Sequence, residues 1–181
     1  MNPQLQLFQQ KLPQVRAWVE RTVAEHRAAS RPVTSFGFPR LGLFYPAGLL
    51  RGAFVVALPH VPMPPLTELG LPGFEAFEHL NAAGITYIDT YFIQEISAQD
   101  ESLHFHELVH VVQWQHLGAE RFLMAYGLGY ILGGGYRANP LEVMAYDLQA
   151  GFDQHVVPFD AETYVCRNLD AMIPALFASP Q

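Results

Sequence analysis

Cysteine is nearly absent from this chain, and so is charge. The single cysteine, Cys166, excludes an internal disulfide framework, and the expectation is a cytoplasmic protein. Only 15% of the 181 residues are charged while half are hydrophobic, which excludes a disordered polyampholyte and suits one packed domain over residues 1–181. Positive charge is scarce: the net charge of -7 leaves no electrostatic footprint for nucleic acid and argues against docking on anionic lipid. Long uninterrupted apolar runs are missing as well. The longest, Phe122 to Tyr136, is broken by glycines and falls short of the ~20 residues that a membrane span needs. The N-terminal "MNPQLQLFQQKLPQVRAWVE" lacks a basic segment followed by an apolar core, so no signal peptide is expected.

What is present reads as an α+β chain. Leu5, Phe8, Leu12, Val15, Trp18, Val19 and Val23 recur at helical spacing, predicting a helix over about Pro3 to Ala29 that Pro13 divides. "GLFYPAG" and "RGAFVVALP" are short apolar runs bounded by Gly and Pro, and read as strands. The proline-rich "LPHVPMPPLTELGLPGF" reads as a loop, either a flap over a cleft or a plain covering segment. "FEAFEHLNAAG" reads as a short helix ended by Gly84, and "ITYIDTYFIQ" as one strand. Helices follow. One runs from Asp100 or Ser102 to Leu117 and ends at Gly118. A buried one spans Ala119 to about Leu132. A third is capped by Asn139 with Pro140 at its first position, and the last starts near Ala161 and is kinked or ended by Pro174.

The chemistry concentrates in "HFHELVHVVQWQH". His106-Glu107-Leu108-Val109-His110 is an H-E-x-x-H match on a predicted helix. Residues four apart share a helix face, so His106 and His110 can offer two imidazoles to one ion. Glu107 beside them could act on a water held by that ion. Zinc suits imidazole nitrogen with carboxylate oxygen in tetrahedral geometry. The first candidate for a third ligand is Glu142 in "YRANPLEVMAYD"; His116, Glu120 and Asp147 compete with it. Glu142 also fits a capping box with Asn139, and the two roles are compatible because the helix dipole keeps a first-turn carboxylate ionised. His104, His26, His60, His79 and His155 read as ordinary residues, and Gln113 as either cleft-facing or packing.

"HELVHVVQW" followed by a helix and then "NPLEVMAYD" resembles zinc metallopeptidases of the gluzincin type. Within that type the likeness is to bacterial metallopeptidase domains with an "HELTHVVQ"-like helix and an "NPxExxA"-like second helix. It covers about Thr86 to Asp147. The resemblance implies a zincin-like fold with an N-terminal helix, a small mostly antiparallel sheet and a helical half carrying the metal. It implies zinc on His106, His110 and Glu142, with Glu107 as general base. It also implies a peptide or protein substrate paired along an edge strand within "ITYIDTYFI". The chain departs from thermolysin-like enzymes in carrying Tyr146 where an acid orients a ligand histidine, and Asp147 could fill that role. An oxyanion donor is also needed. Tyr136 is the first choice, with Tyr130, Arg137 and Tyr146 as competitors. The competing expectation is a zinc-binding interaction domain without catalysis.

Overall fold

The computed structural model describes residues 2–178. Its first helix, α1 (Pro3–His26), is capped by the Asn2 carboxamide on the Gln4 N–H and runs on through Pro13. Pro13 does not divide it, and a 3-10 turn over Arg27–Ala29 completes the segment. The two-residue β1 (Arg31–Pro32) follows, then two 3-10 turns (Val33–Phe36 and Leu41–Leu43), and then α2 (Ala47–Gly52).

"GLFYPAG" is therefore not a strand. Its buried Phe44 and Tyr45 join the flanking Leu41, Leu49 and Leu50 at intervals of one, three and four, a helical rhythm. The Tyr45 hydroxyl is committed to the carbonyl of Phe105, 3.0 Å away. "RGAFVVALP" does contain a strand, β2 (Phe54–Leu58). The proline-rich stretch that follows is irregular until a 3-10 turn over Pro72–Phe74 leads into the brief α3 (Glu75–Glu78), which stops well short of Gly84.

"ITYIDTYFIQ" is two strands rather than one. β3 (Gly84–Tyr87) and β4 (Thr90–Gln94) form a hairpin whose turn is Ile88–Asp89, with Ile88 at φ 62°. A β-branched residue resists that conformation at a cost of order 1–3 kcal/mol. Asp89 supports the turn: its carboxylate accepts from Arg27 at 2.8 and 3.0 Å, and its carbonyl takes the Phe54 N–H. The sheet order is β1-β2-β4-β3, with antiparallel outer pairs and a parallel β2-β4 pair. It is a mixed sheet in which two of the three strand pairs are antiparallel, and β3 forms one edge.

The helical half is α4 (Glu101–Leu117), α5 (Ala119–Gly133), α6 (Pro140–Asp153) and α7 (Ala161–Ala178). Asp100 caps α4 through the N–H groups of Ser102 and Leu103. Gly118, at φ 73°, turns the chain into α5. Pro174 lies inside α7 without ending it. α4 is the central helix, buried around its circumference from Leu103 to Trp114, between the sheet on one side and α6 and α7 on the other. Among the described residues, no helix is long and apolar enough to cross a membrane.

Candidate metal centre

Two faces of α4 carry the site. Glu107 and Trp114 are seven residues apart, about two turns, and both meet β3. The Trp114 indole N–H donates to the Thr86 carbonyl at 3.0 Å, and the Thr86 hydroxyl donates to Glu107 Oε2 at 2.6 Å. The neighbouring face presents His106 and His110 to the first turn of α6, where Glu142 stands. Asn139 sets that turn in place: it caps α6 through the Leu141 N–H and donates its own amide to the Tyr126 carbonyl of α5, at 3.1 Å each. The capping-box role predicted for Glu142 is not taken up. Its carboxylate turns inward, where Oε1 accepts from the Tyr126 hydroxyl at 2.7 Å.

The two imidazole Nε2 atoms lie 3.2 Å apart. Glu142 approaches them at 3.5 Å (Oε1 to His110) and 3.7 Å (Oε2 to His106). Ligand bonds of about 2.0–2.2 Å in tetrahedral array would set neighbouring ligand atoms roughly 3.3–3.6 Å apart. The observed triangle is of that size. All three side chains are buried, and their ligand atoms lie within 4.8 Å of one another, so the group could hold a metal ion.

Both histidines are oriented from behind. His106 Nδ1–H donates to Gln149 Oε1 at 3.0 Å, and His110 Nδ1–H donates to Gln113 Oε1 at 2.8 Å. The glutamine amides are themselves fixed, by Gln149 Nε2 on the Ser102 hydroxyl and Gln113 Nε2 on the Leu141 carbonyl. With Nδ1 protonated on both rings, two Nε2 lone pairs and a carboxylate converge on one point, an arrangement that calls for a cation. Glu142 Oε2 makes the same demand. Among the described residues it is the buried side-chain oxygen left without a hydrogen-bond donor. The residues present therefore fit a metal ion.

Electrostatics agree with the geometry. Burial opposes ionisation of Glu142, but the imidazoles of His110 and His106 hold its carboxyl well below the usual range. Burial also opposes charge on His110, yet Glu142 pushes it up to about 9. A cation is stabilised in this cradle even when it is only a proton. Glu107 is the contrasting carboxylate: burial raises its pKa above the ordinary value, partly offset by the histidines and Thr86. Gly84 makes room for it, because a Cβ there would collide with the Glu107 carboxylate.

The other expected residues sort cleanly. Tyr136 lines the cavity above the triad, with its hydroxyl 3.0 Å from that of Tyr146. Burial and Glu142 push its pKa up, so the phenol stays protonated. Tyr146 packs its ring against His106, centroids 4.6 Å apart, and Arg137 lies over Tyr146 at 4.8 Å. Tyr130 belongs to an aromatic cluster with Phe74 and Phe77.

Asp147 does not orient a ligand. It is exposed, and the position is served by Gln149. The reason is helical phase: Asp147 lies five residues beyond Glu142, about 140° off its face, whereas Gln149 lies seven beyond, about 20° short of two full turns. His116 pairs with Asp170 on α7 at 2.7 Å, and Glu120 is exposed, so neither reaches the centre. His104 is buried and neutral, donating Nε2–H to the Ala98 carbonyl and facing the Tyr91 hydroxyl through Nδ1.

No family model, curated protein or solved structure matches this chain. Sequence reasoning missed Tyr126, Thr86 and Gln149. The seven-residue spacing from Glu142 signals Gln149; Thr86 and Tyr126 reach the centre only through the tertiary fold.

Proposed function

We propose that this protein is a zinc-dependent hydrolase of peptide bonds, zincin-like in plan and gluzincin-like in its ligands. The observation that carries the reading is the convergence of His106, His110 and Glu142 on one point with the buried Glu107 carboxylate beside it, all at the floor of one cavity. Zinc bound there would supply Lewis acidity toward a carbonyl and toward a water.

The remaining work falls to the chain's own side chains. Glu107, raised in pKa and held by Thr86, is the base that takes the proton from the attacking water and returns it to the leaving amine. Tyr136 and Tyr126 both keep their phenolic protons, and Tyr136 is the better oxyanion donor because Tyr126 is already committed to Glu142. In the antiparallel β3-β4 pair, the Gln94 N–H to Ala83 carbonyl bond sets the alternation, so the main-chain groups of Gly84 and Thr86 turn away from β4. The Thr86 carbonyl is taken by Trp114. Pairing of an extended peptide is thus confined to the groups of Gly84 and the Thr86 N–H.

That short edge favours a second reading, a zinc-stabilised interaction domain without turnover. One experiment separates them: metal analysis of purified protein together with a Glu107→Gln variant on a peptide library. The hydrolase reading expects about one zinc per chain in both proteins and turnover only in the parent. Zinc in both with turnover in neither supports the interaction domain, and absence of zinc after supplementation ends both.

A further inference from the structure

The cavity above the metal cradle has polar atoms at its floor and almost none in its walls. The floor is His106, Glu107, His110 and Glu142, rimmed by Thr86, Tyr126 and Tyr136. The walls come from distant parts of the chain: Val15 and Val19 of α1, Met63 and Leu66 of the proline-rich stretch, Leu123 of α5 and Ile85 of β3. No wall residue is charged. The cavity is partly open, yet its walls stay apolar down to a titratable floor, and a concave apolar pocket with a few convergent polar groups is the form of a ligand site.

Its shape is maintained by a glycine. A Cβ on Gly127 would collide with the Phe8 ring, so Phe8 lies against the α5 backbone and forms wall instead of filling the space. The free volume, about 90 Å³, holds roughly six to nine water-sized groups. That accommodates a branched aliphatic or benzyl side chain and is too small to enclose a twelve-carbon acyl chain.

We infer that this chamber is the specificity pocket of the site and takes one uncharged apolar side chain, of leucine to phenylalanine size, next to the bond acted on. The inference rests on the metal reading above. The proline-rich stretch then has a role, since Met63, Pro64 and Leu66 close the pocket. The Tyr87 hydroxyl on the Pro62 carbonyl (2.8 Å) and the Thr67 hydroxyl on Glu78 (2.7 Å) anchor it.

The test is binding of a hydroxamate series to zinc-loaded protein by calorimetry. 3-Phenylpropanohydroxamate should bind about tenfold or more tighter than acetohydroxamate, from the added apolar burial. Dodecanohydroxamate and succinate monohydroxamate should gain nothing. Ala82→Phe, narrowing the chamber, should abolish the phenyl advantage, and Ile85→Ala should shift the preference to larger groups, so one variant suffices if the other misfolds. Equal affinity for the phenyl and methyl ligands, or tightest binding of the twelve-carbon chain, overturns the pocket while leaving the metal reading standing. If the protein takes up no zinc, the metal reading fails instead. The pocket is then decided on metal-free protein titrated with benzyl alcohol: saturable methyl shifts at Val15, Val19 and Leu123 support it, and their absence refutes it.

Discussion

Gln149 stands behind His106, its Oε1 accepting the Nδ1–H at 3.0 Å while its amide donates to Ser102. The pair ties α6 to α4 and points the free Nε2 at Glu142, two turns back along the same helix face. Gln113 does the same for His110. Replacing either glutamine with alanine should lower zinc affinity roughly 10–100-fold, the usual cost of losing such a support. Chelator competition would measure it, and unchanged affinity in both variants would show that the orientation is incidental.

Glu107 depends on an absence of side chain at Gly84. Gly84→Ala places a methyl against its carboxylate. We expect kcat to fall about 100-fold, the scale of losing a positioned base, with zinc content retained. Normal kcat in this variant would mean that the carboxylate has slack the packing does not suggest.

A metal held by the unbonded Glu142 Oε2 and the opposed imidazoles would act as a folding ligand. Free zinc at a thousand times Kd should stabilise the chain by about 4 kcal/mol, and chelation should lower Tm by roughly 10 °C. Glu142→Gln should abolish most of that shift. Scanning calorimetry with and without chelator checks both statements.

His104 supplies a pH signature away from the cavity. Burial holds its pKa down to about 4, with the bond to Ala98 and the charge of Asp100 opposing. The folded form thus prefers the neutral ring, and an unfolded chain with a pKa near 6.5 binds the proton sooner. Stability from this residue is complete above pH 6.5 and declines as pH falls toward 4, by about 3 kcal/mol across the window. Denaturant titrations at stepped pH should show a flatter decline in His104→Gln; an identical slope would mean that His104 is not held neutral.

The helical half of the fold was legible because its signals are local. Asp100, Gly118, Asn139 and Pro140 mark helix ends by their own backbone chemistry, and each acts there. The hairpin was not, because Ile88 carries none of the composition of a turn; its conformation is held by Arg27 and β2 through Asp89. The two histidines and Glu142 were readable from spacing and context. The groups that tune them were not: Thr86 and Tyr126 reach the site from the sheet and from α5, and Asp147 looked suitable by chemistry but sits at the wrong helical phase.

The most direct test of the account is diffraction from crystals of zinc-supplemented protein on either side of the zinc absorption edge. Zinc in the proposed site gives one anomalous peak per chain, about 2.0–2.2 Å from His106 Nε2, His110 Nε2 and a Glu142 oxygen. A structure with no peak there, or with zinc held by other residues, would contradict it.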